Sequence, residues 1–262
     1  MLRPRIIPCL LVHKRGLVKT VQFASPKYVG DPINAVKIFN EKEVDELIVL
    51  DIDATAHNAE PDYTMIRNVA TECRMPLCYG GGVKSVEQAV RIIKLGVEKV
   101  AISSAAVENP ALISDISRFV GGQSVVVVLD VKKDRRKGTY EVWTHNGKKN
   151  THRDPAGLAK EFEELGAGEV TVNSIDNDGV MKGYDLTLAR HVRNAVALPM
   201  TVLGGAGSIA DLETLIKEFE IVGAAAGSLF VFKGVYKAVL ISYPSRTEKE
   251  ELTSAALGRV RA

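Results

Sequence analysis

Four consecutive valines, Val125 to Val128, run into Leu129 and stop at a carboxylate, Asp130. A stretch this uniformly apolar belongs to a strand buried on both faces. A carboxylate at its end sits where a proton can be given or taken. Position alone leaves Asp130 as a catalytic group or as a cap on the segment that follows. Asp51, Asp53, Asp176 and Asp178 end two further apolar runs; there they could contact sugar hydroxyls, relay protons or cap loops. Small residues follow other runs: Gly80-Gly81-Gly82, Gly204-Gly205-Ala206-Gly207, Ser103-Ser104-Ala105-Ala106 and Gly227-Ser228. In such turns backbone N–H groups approach an oxyanion closely, and a following helix N-terminus adds partial positive charge. Two such corners fit a small molecule with a phosphate at each end; tight turns alone are the plainer reading. Lys14, Arg15, Lys19 and Lys27 share one long loop, His13 to Gly30, which reads as a lid over an anionic ligand or as a solvated loop. No metal-ligand spacing and no Ser-His-Asp nucleophile pattern is present, so neither metal nor cofactor is expected.

The elements that must position these groups alternate from end to end. Candidate strands are Arg5–Val12, Glu46–Asp51, Met75–Tyr79, Lys99–Ile102, Ser124–Asp130, Glu169–Ser174, Met200–Leu203 and Ile221–Ala225. Between them lie candidate helices at Pro32–Glu43, Asp62–Cys73, Ser85–Leu95, Pro110–Val120, Asp154–Leu165, Asp185–Ala195, Ser208–Phe219 and Lys233–Ile241. Asp31, Ser85, Asp154 and Ser208 are good N-caps, and Gln88 completes a capping-box spacing with Ser85. Thr139 to Thr151 reads as a hairpin turning at Asn146-Gly147. Eight strand–helix units predict a single (β/α)8 barrel over residues 1–262, with a doubly wound open sheet as the alternative. A repeat favours the barrel. Asp31-Pro32 recurs as Asp154-Pro155, an offset of 123 residues (154 − 31) that also relates Glu46 to Glu169, Asp53 to Asp176, Gly81-Gly82 to Gly204-Gly205 and Ser85 to Ser208. Two half-barrels, about 1–122 and 123–245, are the expectation.

In such a barrel the strand C-termini carry the active site and the N-termini serve stability. Arg5, Glu46, Lys99 and Glu169 each begin a strand, and four charges of alternating sign there could ring the barrel floor. Composition sets outer limits. Hydrophobic residues make up 46% and charged residues 25%, with a net charge of +2, so nothing favours a nucleic-acid or membrane partner. The chain begins without a signal-peptide pattern, and its apolar runs are too short to span a bilayer. Three cysteines, Cys9, Cys73 and Cys78, suit buried thiols of a cytoplasmic protein.

Several motifs together resemble the cyclase subunit of imidazole glycerol phosphate synthase (HisF): Arg5-Ile6-Ile7-Pro8-Cys9-Leu10, Gly80-Gly81-Gly82, Ala105-Ala106-Val107-Glu108-Asn109-Pro110, Gly147-Lys148-Lys149-Asn150-Thr151, Ser174-Ile175-Asp176-Asn177-Asp178-Gly179 and Gly183-Tyr184-Asp185. The resemblance implies a partner glutaminase docked on the N-terminal face, whose ammonia passes through the barrel. Arg5, Glu46, Lys99 and Glu169 then resemble the family's ammonia gate. It implies a bisphosphorylated ribulosyl aminoimidazole carboxamide substrate, held by Lys19, Gly81, Gly82, Ser103, Ser104, Asp176, Asp178, Gly179, Gly204, Gly205, Gly227 and Ser228. The products would be imidazole glycerol phosphate and an aminoimidazole carboxamide ribotide. The family uses two aspartates, on strands one and five. Asp130 matches the second; the first position is Leu11 here, and Ser103 replaces the family's asparagine after strand four. A complete gate with a broken pair resembles the paralogues of surface-polysaccharide pathways, where ammonia is supplied to a separate amidotransferase that builds an acetamidino sugar. Three readings follow: an ammonia supplier, a histidine-pathway cyclase that tolerates Leu11, and a barrel that only activates its glutaminase.

Overall fold

The computed structural model describes residues 3–256; residues 1, 2 and 257–262 of the expected domain lie outside the described residues. The apolar runs form β1 (Arg5–His13), β2 (Leu47–Asp51), β3 (Leu77–Gly80), β4 (Lys99–Ile102), β5 (Val125–Asp134), β6 (Glu169–Ser174), β7 (Met200–Leu203) and β8 (Gly223–Ala226). Each pairs in parallel with the next, and β8 pairs with β1, so the sheet closes on itself. This is a single (β/α)8 barrel; the open sheet is excluded by the closure. Around it lie α1 (Pro32–Glu41), α2 (Tyr63–Glu72), α3 (Val86–Lys94), α4 (Ala111–Val120), α5 (Pro155–Glu164), α6 (Leu186–Arg193), α7 (Ile209–Phe219) and α8 (Arg246–Ala256).

Strand alternation divides the apolar residues into two cores. Ile6, Leu10, Val49, Val100, Val127 and Val172 face outward and meet the helices. Ile7, Cys9, Ile48, Cys78, Ala101, Val126, Val128, Leu203 and Ala225 face inward and pack on one another along the barrel interior. Helix starts recur in pairs. Asp31 and Asp154 each accept from the N–H three residues on, as do Asp62 and Asp185. Ser208 makes a full capping box with Asp211. Ser85 does not, because the Gln88 side chain accepts from the Lys84 N–H instead.

Three segments depart from the sequence expectation. Lys233–Ile241 is not a helix: Phe232–Lys233 pairs antiparallel with Ala238–Val239. Gly234 and a run rich in Val and Tyr favour a hairpin over a helix there. The closing helix, α8, starts after Pro244, with Ser245 and Glu248 forming a reciprocal cap. The first loop is also ordered as strands, Gly16–Val21 and Ala24–Gly30, and the first arm pairs antiparallel with β1. Its tip carries Gln22 and Phe23 at φ 52° and 62°, the left-handed pair of a tight hairpin turn. Finally, β5 runs past Asp130 to Asp134 and forms the outer hairpin with Thr139–Thr144.

Candidate functional site

At the C-terminal mouth lies a cavity of about 230 Å3, bordered by Lys19, Gly81, Gly82, Ser103, Ser104, Asp130, Asp178, Gly227 and Ser228. Its shape depends on missing side chains. A Cβ on Gly81, at φ 129°, would come within 2.5 Å of the Asp51 carbonyl oxygen, so only glycine lets β3 turn beside β2. Asp176, Gly179, Gly204 and Gly205 stand outside the cavity wall. The Asp176 carboxylate instead accepts the Lys133 N–H at 2.8 Å. Gly179 lies under the first hairpin, where a Cβ would meet the Thr20 carbonyl oxygen at 2.0 Å.

Asp130 reaches the cavity from β5. Its carboxylate accepts from Asn173 Nδ2 at 2.8 Å and Ser103 Oγ at 3.4 Å. Burial pushes this carboxyl up to about 6, against the pull of those two donors. Such a value suits a proton-transfer group near neutral pH. Lys19, only 5% exposed, comes down from the first hairpin and donates to the Cys9 carbonyl oxygen at 2.5 Å; burial lowers its pKa. Asp178 accepts from the Thr20 hydroxyl at 2.6 Å and the Phe23 N–H at 3.2 Å, and burial raises its pKa despite both. The hairpin is therefore fastened to the mouth through Asp178. β1 and β5 stand on opposite sides of the ring, and the position facing Asp130 across the cavity is Leu11, packed with Leu50 against the inner apolar core.

Asn173 and His145 also line the cavity and were not singled out in the sequence; Asn146, read there only as a hairpin turn, lines it too. Asn173 was legible in principle: Glu169, Thr171 and Asn173 alternate along β6 and share its inner face. His145 and Asn146 sit in the turn between Thr139–Thr144 and its antiparallel partner Lys149–Asn150, where the Asn146 amide donates to the Ile52 carbonyl oxygen at 2.5 Å; no short-range pattern links that turn to β2.

Replacing Asp130 with Asn should stabilise the protein. The Asp130 pKa of about 6 lies above its unfolded value of about 3.9. The folded state therefore loses stability as pH rises through about 6, when the buried carboxyl must ionise. Asp130→Asn is expected to be about 1–3 kcal/mol more stable near pH 8, with the gap closing as pH falls to about 4. Urea unfolding at several pH values checks this; a gap independent of pH would remove the buried-charge account.

At the opposite end the four strand-start charges meet in a ring. Arg5 pairs with Glu46 and with Glu169, the latter at 2.8 Å; Lys99 Nζ lies 2.9 Å from each glutamate. Thr201, unnoticed in the sequence, donates its hydroxyl to Glu169 at 2.6 Å. Burial alone would raise the Glu169 pKa, but Arg5, Lys99 and Thr201 hold it below the ordinary value. Lys99 is raised by the two glutamates against the effect of burial. The three cysteines are free thiols, with Cys9 and Cys78 buried. Among the described residues no helix is long and apolar enough to cross a membrane.

A closed parallel barrel with a cavity at the strand C-termini, into which Asp130, Lys19 and Asp178 reach, and a charged ring at the N-termini defines a (β/α)8 barrel protein. The histidine biosynthesis protein family matches it over residues 5–237. The chain belongs to the HisF family, the imidazole glycerol phosphate synthase subunit of cyclase (lyase) type. It is 57% identical to a Leptospira interrogans protein over 252 residues, 96% of this chain and 99% of that one. It is 58% identical to a Vibrio vulnificus protein over 251 residues, 96% of each. Both carry the name imidazole glycerol phosphate synthase subunit HisF provisionally. A Petrotoga mobilis protein that carries the name outright is 42% identical over 239 residues, 91% of this chain and 94% of that one.

Proposed function

We propose that this chain is the ammonia-conducting barrel of a glutamine amidotransferase complex, and that it supplies a separate enzyme rather than completing the cyclase reaction itself. The observation that carries the reading is the contrast between its two ends. The charged ring at the floor is whole, whereas the mouth offers Asp130 with Leu11 opposite it. A glutaminase subunit docks beneath the ring. Ammonia crosses as the neutral molecule, because the apolar interior between ring and mouth penalises an ammonium ion. The recipient is an amidotransferase that builds an acetamidino sugar of a surface polysaccharide. Identity supports this division, since the relatives named provisionally stand at 54–58% and the outright-named Petrotoga protein at 42%.

A histidine auxotroph lacking its own cyclase subunit provides the test. The gene for this chain, expressed with its glutaminase, is expected not to restore growth without histidine. Growth at the wild-type rate would give preference to the second reading, a histidine-pathway cyclase, which the raised pKa of Asp130 favours.

The mouth keeps both anion corners in this reading, one at Gly81, Gly82 and Ser104, the other at Gly227 and Ser228. The buried Lys19 serves the second, since its Nζ lies beside Gly227. Sulfate soaked into crystals should occupy both; two empty corners at high anion concentration would count against a phosphorylated ligand.

A further inference from the structure

The solvent-facing apolar side chains are unevenly distributed. Of ten large exposed ones among the described residues, Val21, Tyr28, Val235, Tyr236, Val239 and Leu240 fall on two hairpins, while Ile38, Phe119, Ile209 and Ile221 stand singly on or beside outer helices. One follows β1; the other follows the short helix Ser228–Val231 at the end of β8. Because β1 and β8 are neighbours in the ring, both hairpins rise from one sector of the mouth. They touch: Lys27 Nζ lies 5.4 Å from the centre of the Phe232 ring. At the tip, Val235 and Tyr236 are 95% and 96% exposed, which folding alone does not require.

Charge sets this sector apart as well. The chain as a whole is nearly balanced, with 34 basic and 32 acidic residues. Residues 14–30 and 229–245 nevertheless contain Lys14, Arg15, Lys19, Lys27, Lys233 and Lys237 and no Asp or Glu. Arg15 is paired with Asp62 and Lys19 is buried. Lys14, Lys233 and Lys237 have no ion-pair partner among the described residues. An aromatic and aliphatic tip flanked by free lysines is the composition of a binding anchor within a charged rim, and its complement is acidic.

We propose that these two hairpins dock the enzyme that takes the ammonia, a protein presenting an apolar pocket ringed by Asp and Glu side chains. The proposal rests on the ammonia-supply reading above. Ammonia released into water at the mouth would be protonated and diluted, so handing it on requires the recipient to sit against the rim.

The test uses the complete complex of this barrel with its glutaminase, together with the sugar amidotransferase of the same source. One double variant, Lys233→Glu with Lys237→Glu, inverts the rim charge; another, Val235→Ser with Tyr236→Ser, removes the tip. All four side chains are exposed, so the barrel folds as before. Sedimentation velocity should show the wild-type complex binding the amidotransferase and each variant binding at least about tenfold more weakly. Glutamine-driven product should fall in parallel, while glutamine hydrolysis and product made from added ammonium salt stay unchanged. Transfer by the wild type that both variants leave untouched overturns the docking surface alone. No glutamine-driven transfer by the wild type overturns the ammonia-supply reading itself. Variants that keep the amidotransferase but lose self-association, or lose binding to phosphatidylserine vesicles, overturn the proposal in favour of a second copy or a membrane.

Discussion

Given free ammonia and the bisphosphorylated ribulosyl substrate of the histidine pathway, the purified protein turns over at least about a hundredfold more slowly than a family member with both aspartates. The expectation follows from the distance across the mouth. Cyclisation moves protons at two places along a substrate that spans the cavity, and Asp130 reaches from one side only. Asp178 cannot change sides, because the Thr20 hydroxyl and the Phe23 N–H fix its carboxylate under the first hairpin. Asp51 is held by the N–H groups of Asp53 and Ala54, and Asp176 by that of Lys133. Leu11 also makes its wall apolar, which disfavours charge developing there. The variant Leu11→Asp should recover part of the lost rate if the remaining pocket is intact. Steady-state assays with ammonium salt measure both proteins without any glutaminase. Turnover by the unmodified chain at the rate of a two-aspartate enzyme would make it a histidine-pathway cyclase.

The sequence carried the barrel because its signals are local and repeated. An apolar run of four to six residues, a small-residue turn and an acidic N-cap recur in each half, and α1 and α5 begin at Pro32 and Pro155, the 123-residue offset again. It carried Asp130 and the floor charges because strand ends mark them. What it concealed depends on contacts distant along the chain. His145 comes to the cavity only because the outer hairpin folds back over the mouth. Thr201 joins the ring only because β7 stands beside β6. The missed hairpin after β8 is different. Gly234, the Val and Tyr residues and the Ser245-to-Glu248 cap were all present in the sequence, and the eight-unit pattern overrode them.

The ring should be as costly to break as it is specific in its effect. Lys99 holds Glu46 and Glu169, each 2.9 Å from its Nζ, and the two glutamates are only 3% and 5% exposed. In Lys99→Met both carboxylates face Arg5 alone. Removing one partner from a buried ion pair costs about 3–5 kcal/mol, here because two buried carboxylates are left to share one cation. Urea unfolding of the isolated barrel should show a loss of that size. With the glutaminase bound, the same variant should leave glutamine hydrolysis largely intact while the share of ammonia reaching the acceptor falls, since an open floor lets water in and ammonia out. Thr201→Val separates the two effects. It deletes the 2.6 Å hydrogen bond to Glu169 at a cost of about 1.5–3 kcal/mol for a bond to a charged group, yet leaves all four charges in place. It should therefore lose stability and keep its coupling. If Lys99→Met is destabilised as expected but still delivers ammonia from glutamine with normal coupling, the ring is a structural clasp at the barrel floor and no gate.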